Sequence, residues 1–257
     1  MSLSFTDPQP ILGPATANLY TKYVRITDET ELRAHILRVR AILDNNPCDY
    51  RCIKEFRFAQ PRLLERPIYS IILSQRLSDP STPRPLLDIG CCTGTDLRQL
   101  VVDGYPASEL VGIDQYALFV DAGYELFRDR KTCGVRFVIG NALEEGFPRG
   151  TRLEGERFEV VHAGSVVHLL DRKQIRNFVK GVRELVRPGG WFVGGHMGAS
   201  ETKDFVEVSG LRHLEAPAEF KRILEEEGFV EVVVNAENRG VREGVHTMWV
   251  DFVAKVQ

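Results

Sequence analysis

From Pro85 to Lys255, short apolar runs alternate with longer amphipathic stretches, the pattern of strands and helices in turn. The runs predict strands at Pro85–Ile89, Leu110–Ile113, Val135–Ile139, Phe158–Ala163, Trp191–Gly194, Val230–Asn235 and Thr247–Lys255. After the fourth, Ile175, Phe178, Val179, Val182 and Val186 form one helical stripe. Asp171 and Gln174 stand at capping-box spacing before it, and Arg187-Pro188-Gly189-Gly190 is expected to stop it. A further helix is predicted from Pro217 to Glu227, with Gly228 just past its end. Met248, Val250, Phe252 and Ala254 alternate along the last strand. The polar connection between Asn235 and Thr247 is too short for a crossover helix, so the last strand should run antiparallel. The alternation predicts an α/β fold with a seven-stranded, mostly parallel sheet.

The chain before Pro85 lacks this strand periodicity. Asp28 can cap a helix over Glu29–Leu43, with Leu32, Ile36, Val39 and Leu43 on one face. A second helix is plausible across Pro67–Leu77, and Asp79-Pro80-Ser81-Thr82-Pro83 breaks it. Two units are therefore expected: an N-terminal helical segment, residues 1–83, acting as a cap or lid, and a core, residues 84–257.

Composition narrows the function classes. The 257 residues carry 33 basic and 36 acidic side chains for a net charge of −3, no footprint for nucleic acid. No apolar window reaches membrane-span length, and Met1–Pro10 has neither a basic nor an apolar signal region. Five cysteines suit a reducing compartment, with cytoplasm the default, and Cys48 and Cys52 lack the partners a zinc site needs, so no metal is expected.

The chemistry concentrates where the first strand ends, in Asp88-Ile89-Gly90-Cys91-Cys92-Thr93-Gly94-Thr95-Asp96. An acid followed by small residues two, four and six places on lets the backbone approach a ligand closely. The spacing fits neither a P-loop nor the dinucleotide G-x-G-x-x-G. It fits the D-x-G-x-G-x-G loop of S-adenosylmethionine (SAM) methyltransferases, with Cys92 at the middle glycine; an ordinary strand-to-helix turn is the competing reading. Other strand ends suit the same cofactor. Asp114, about 20 residues beyond the loop, can take vicinal ribose hydroxyls, or cap the next helix. Asn141-Ala142 can meet adenine, or simply turn the chain. Small residues at Ala163-Gly164-Ser165 leave room for the methionine end. With the sheet, this makes a Rossmann-like class I SAM methyltransferase fold the expectation.

The chain resembles the fungal carboxyl methyltransferases of meroterpenoid and related secondary-metabolite pathways. The likeness is carried by Leu87–Asp96 with its doubled cysteine, Leu100-Val101-Val102-Asp103-Gly104 and Gly123-Tyr124-Glu125-Leu126-Phe127-Arg128-Asp129-Arg130. Pro47-Cys48, Phe56-Arg57-Phe58 and Arg212-His213 also fit. The resemblance implies methyl ester formation on a carboxylic acid of a small natural product, with cofactor contacts at Asp114-Gln115 and Asn141-Ala142. Asn141 departs from the Asp expected there in relatives, and Gly195–Ser200 diverges, so the acceptor's identity does not carry over.

A carboxylate acceptor is already ionised at neutral pH and needs donors to hold it rather than a base. A hydroxyl acceptor needs a base. His168 and His196, after the fourth and fifth strands, are the candidate catalytic and substrate-binding residues for either role. Arg212-His213 is a candidate anchor for an acid. Arg57, between two phenylalanines, is a candidate for the methionine carboxylate or the substrate acid, with a structural salt bridge as the competing reading. The expected cofactor site is Asp88, Gly90, Cys91, Cys92, Gly94, Asp114, Gln115, Asn141, Ala142, Ala163 and Arg57. Hydroxyl or carbon methylation of a polyketide-type metabolite, or a catalytically silent SAM-binding accessory, are the alternatives, and the N-terminal helices offer a possible homodimer surface.

Overall fold

The computed structural model describes residues 9–45, 50–207 and 210–257, and in it the apolar runs become one seven-stranded sheet. Its strands are β1 (Leu86–Ile89), β2 (Leu110–Asp114), β3 (Arg136–Ile139), β4 (Phe158–Gly164), β5 (Val186–Ala199), β8 (Phe229–Arg242) and β9 (Val245–Val256). They lie in the order β3-β2-β1-β4-β5-β9-β8. Only β9 is reversed, antiparallel to both β5 and β8, so the expected inserted strand is present. The chain leaves from β1 toward β3 and then returns to β4, placing a topological switch between β1 and β4, where ligands bind in such sheets.

Side-chain alternation gives the sheet two buried faces. Leu87, Ile89 and Val161 join Ile175, Phe178 and Val182 of α7 (Arg172–Leu185) and Phe220 and Ile223 of α8 (Pro217–Glu226). Leu86 and Val160 face the other way, against Ile68 and Ile72 of α4 (Pro67–Ser78) and Leu97 and Leu100 of α5 (Thr95–Val102). The Asp171–Gln174 capping box forms as predicted, and Gly228 (φ 88) turns the chain after α8.

The N-terminal helices, α1 (Pro14–Leu19), α2 (Glu29–Leu43) and α3 (Arg51–Lys54) among them, share their core with the sheet domain. Asp28 caps α2 by accepting from the Glu31 N–H at 2.8 Å. Leu32, Ile36, Val39 and Leu43 pack on Phe119, Leu126 and Phe127 of α6 (Ala117–Phe127). Below them Arg98 is wholly buried and paired with Asp129 at 2.7 Å, while Asp129 also accepts from the Tyr23 hydroxyl at 2.8 Å. Asp129 thus ties α5, the end of α6 and the N-terminal segment to one carboxylate. Pro47 and Cys48 lie outside the described residues.

Three expectations need correction. No loop separates the helix of residues 172–185 from the fifth strand: β5 begins at Val186, runs through Pro188-Gly189-Gly190 and continues to Ala199. The presumed loop at 235–247 is instead mostly strand, closed by Glu243 and Gly244, both at positive φ, as tight hairpins require. And an unpredicted hairpin, β6 (Lys203–Glu207) and β7 (Gly210–Leu214), packs Phe205 and Leu214 against Ala199. It is too short and polar for its alternation to be read.

Candidate functional site

Above the carboxyl ends of β1, β2 and β4 opens a cleft of about 2470 Å³, larger than the ~300–1000 Å³ of ordinary small-molecule pockets and roomy enough for two ligands. Its floor is the glycine loop. Gly90 (φ 70) lies so close to Val166 that a Cβ would sit 2.8 Å from the Val166 side chain. Cys92, at the expected glycine position, holds the same left-handed backbone (φ 51), a conformation that costs a non-glycine residue about 1–3 kcal/mol and recurs at ligand sites. Its N–H donates to Asp114 Oδ2 at 2.9 Å, and the Tyr116 N–H donates to Asp114 Oδ1 at 3.0 Å. Asp114 therefore fixes the loop while keeping lone pairs for a diol. Burial pushes its carboxyl above the usual carboxylate range, opposed by those two N–H groups. Burial likewise raises the Cys91 and Cys92 thiols, so neither is a ready thiolate.

Two threonines of the loop hold the opposite wall. Thr93 and Thr95 both donate to the Phe58 carbonyl, at 2.6 and 2.5 Å, and Asp96 Oδ1 accepts from the N–H groups of Arg62 and Leu63 at 2.6 and 2.8 Å. The segment from Tyr50 to Ile68 thus forms the cleft wall, with Gln115 reaching the Tyr50 hydroxyl at 3.3 Å. Arg57 faces the cleft about half exposed and rests on Glu55 at 2.7 Å.

At the switch point Asp88 Oδ1 lies 2.8 Å from His162 Nδ1 on the neighbouring strand, where the two residues are register partners. Burial lowers the proton affinity of His162, but the Asp88 charge and hydrogen bond more than offset this and leave it raised. Gly164 and Ser165 line the cleft at the end of β4, whereas Ala163 is fully buried in the core beneath. Asn141 lines the cleft with Ala142, but its Oδ1 accepts from the Leu143 N–H at 2.9 Å and its amide faces Glu144 at 3.3 Å, the arrangement of an Asx turn.

The candidate histidines separate. His168 lines the cleft with its Nδ1 buried and without a hydrogen-bond partner among the described residues. Burial, then the charges of His196, Arg212 and Arg62, lower its pKa to about 3, so it is neutral at ordinary pH. His196 is not in the cleft wall: it is 1% exposed, its ring centroid 4.6 Å from that of Phe220, and its Nδ1 is 3.0 Å from the Met197 carbonyl. Because β5 continues through residue 196, this side chain alternates into the core. His213 borders the cleft, but both ring nitrogens are taken, by Asp204 at 2.6 Å and Glu215 at 3.0 Å, which hold the imidazolium against the lowering effect of burial. Arg212 beside it also lines the cleft.

Arg62, Arg66, Asp96, His162 and Trp249 belong to the site without having been singled out from the sequence. Arg66 pairs with Asp251 at 3.1 Å, and its guanidinium lies 4.9 Å from the Trp249 ring. Only strand order brings these residues together, although an acid and a histidine, one and two residues before the last of their strands, were a usable signal for pairing Asp88 with His162.

Residues 86–190 match the family model described as a methyltransferase domain. The chain is 32% identical over 223 residues to the O-methyltransferase atr3 of Stereocaulon alpinum, covering 84% of this chain and 62% of that protein. It is 31% identical over 180 residues to the asnovolin E/chermesin D methyltransferase nvfJ of Aspergillus novofumigatus, covering 69% of this chain and 62% of that one. It thus spans less than two thirds of the length of these relatives. In fold it is similar to a Haemonchus contortus phosphoethanolamine N-methyltransferase 2 solved with S-adenosylhomocysteine, at TM-score 0.56 and 13% identity over 95% of this chain and 60% of that one. A second likeness is to the 1,6-didemethyltoxoflavin N1-methyltransferase of Burkholderia thailandensis, at TM-score 0.52 and 17% identity over 96% and 94% of the two chains.

Proposed function

We propose, from the match of residues 86–190 to the methyltransferase-domain model, that the chain binds SAM over β1–β3 and methylates a carboxylate oxygen of a small, mostly apolar secondary metabolite. The floor suits this cofactor: the loop backbone is exposed at Gly90, and Asp114 can accept from two ribose hydroxyls. Gln115 and Ala142 would border the adenosine, while Asp88 and Arg57 stand toward the methionine end. When bound, SAM supplies an electrophilic methyl group on a cationic sulfur.

The remaining work falls to the half of the cleft over β4, β5 and β9. There the protein has to hold the nucleophile aligned and dry, an effect that can supply on the order of 7–11 kcal/mol. What favours a carboxylate is one observation: two arginines, Arg62 and Arg212, line the cleft together with His168, which burial first, and then neighbouring charges, keep neutral. Two guanidinium groups attract an anionic acceptor, and a carboxylate has no proton to give up. The neutral ring can still donate one hydrogen bond.

Product chemistry tests this. Incubated with SAM and a panel of aryl and terpenoid acids, the protein should yield methyl esters that mild alkali cleaves; alkali-stable products alone would overturn ester formation. A second reading has its own support: a buried His162 on the Asp88 carboxylate is the arrangement of a general base, which a hydroxyl acceptor would need. That route predicts a rate that falls as His162 becomes protonated at lower pH, whereas ester formation should be nearly flat between about pH 6 and 9.

A further inference from the structure

On the wall facing β4 and β9, one cation has no anionic partner. The Arg62 guanidinium donates to Ser165 Oγ at 2.9 Å and lies 5.5 Å from the Trp249 ring centroid, and among the described residues no carboxylate stands within ion-pair distance of it. Its neighbours differ: Arg57 is held by Glu55 and Arg66 by Asp251. Asp96 favours the Arg62 cation electrostatically, but spends its Oδ1 on the backbone N–H groups of residues 62 and 63, and Arg57 and Arg66 oppose it. A partly buried guanidinium whose one side-chain hydrogen-bond partner among the described residues is a hydroxyl keeps N–H donors and positive charge available to an anion.

Two further observations converge on the same place. His168, three residues beyond Ser165, has a buried Nδ1 without a partner. Ser165 itself holds a left-handed backbone (φ 64), pinned by its N–H donating to the Gly195 carbonyl at 2.7 Å, and that conformation aims its hydroxyl at Arg62. The structure thus sets a planar fork of donors, a hydroxyl and an unpaired imidazole nitrogen around one end of the cleft. A carboxylate matches such a fork in shape and charge.

We propose that Arg62 binds the acceptor's carboxylate, with Ser165 and His168 beside it, and so selects acidic over neutral substrates. This rests on the carboxyl-methylation reading above. The methionine carboxylate of the cofactor has the same chemistry and was expected at the same end of β4; the contact with Trp249 of β9, beyond the floor over β1–β3, is what turns Arg62 toward the acceptor, and S-adenosylhomocysteine affinity tells the two apart.

The test uses the whole chain saturated with S-adenosylhomocysteine, titrated with benzoate and with its uncharged counterpart benzamide. Calorimetry and Trp249 fluorescence, in a Trp191→Phe background, read binding. Benzoate should bind saturably and benzamide at least tenfold more weakly. Arg62→Met should weaken benzoate at least tenfold and leave S-adenosylhomocysteine affinity within twofold, with Arg62→Lys between. Three outcomes overturn the proposal: no saturable benzoate binding, unchanged binding by Arg62→Met, or a tenfold loss of S-adenosylhomocysteine affinity, which would give Arg62 to the cofactor. Arg62-dependent benzoate binding with only alkali-stable methylation products would sink the ester reading and leave the anchor standing. Ester formation by Arg62→Met at wild-type KM would do the reverse.

Discussion

Asp114 shows how one side chain serves the fold and the site together. It accepts from the Cys92 and Tyr116 N–H groups and is 7% exposed, yet borders the cleft. Asp114→Ala should weaken S-adenosylhomocysteine binding by about 3 kcal/mol or more, roughly a hundredfold, as two hydroxyls lose a charged acceptor. Near-native affinity in calorimetry would remove the ribose assignment, and circular dichroism should show the fold retained. His168→Ala is expected to lower turnover at least tenfold while leaving S-adenosylhomocysteine affinity within twofold; unchanged turnover would leave His168 a structural histidine. His196, in contrast, should act through stability alone, because its ring packs against Phe220 out of reach of the cleft. The two looked equivalent in the sequence, each a histidine just past a strand. They part because β5 runs on past the end of its apolar run at Gly194 to Ala199, and extension rather than composition decides which way a side chain alternates.

At the scale of elements, the seven sheet strands and the helices around α2, α4, α7 and α8 were legible, since each carries apolar residues at one period over its length. Solvated extensions such as 235–242, where one polar residue follows another, carry no such period and were unreadable. Likewise the glycine loop and Asp114 could be read as local patterns, but the Tyr50–Ile68 wall could not, because what positions it is backbone. Thr93 and Thr95 converge on the Phe58 carbonyl, and Asp96 on two amides. A Thr93→Val/Thr95→Val pair strips that buried carbonyl of both hydroxyl donors and should cost about 1–3 kcal/mol. Hydrogen exchange should rise first across residues 50–62, before the sheet opens; uniform exchange would show that the wall is not a separate unit.

For the whole molecule, buried histidines set opposing pH limits on stability. His168 and His196 titrate near 3 and 4 when folded, but near 6.5 when unfolded, so the unfolded chain binds more protons below about pH 6.5 and stability falls as pH drops. For His196 the loss by pH 5 is on the order of 2 kcal/mol. His162 and His213 are raised instead, so their contribution is complete below about pH 6.5 and is lost as pH climbs through their folded values. The melting temperature should peak near pH 6.5, and His213→Gln should flatten the alkaline limb; a melting curve independent of pH would contradict the burial of these rings. The Arg98–Asp129 pair makes a separate demand: Arg98→Met leaves Asp129 buried without its cation, with the Tyr23 hydroxyl and the Cys133 thiol beside it, and should destabilise the chain by about 3–5 kcal/mol in urea.

The threonine clasp on Phe58 grips a carbonyl oxygen, a group every amino acid carries. Ile53, Phe56, Phe58 and Leu63 of that stretch are core residues, but its exposed side chains are at liberty to change without disturbing the grip. A library randomised at the cleft-facing positions 51, 54 and 60 should yield mostly folded, cofactor-competent variants, which makes this strip the natural place to retailor what the protein accepts.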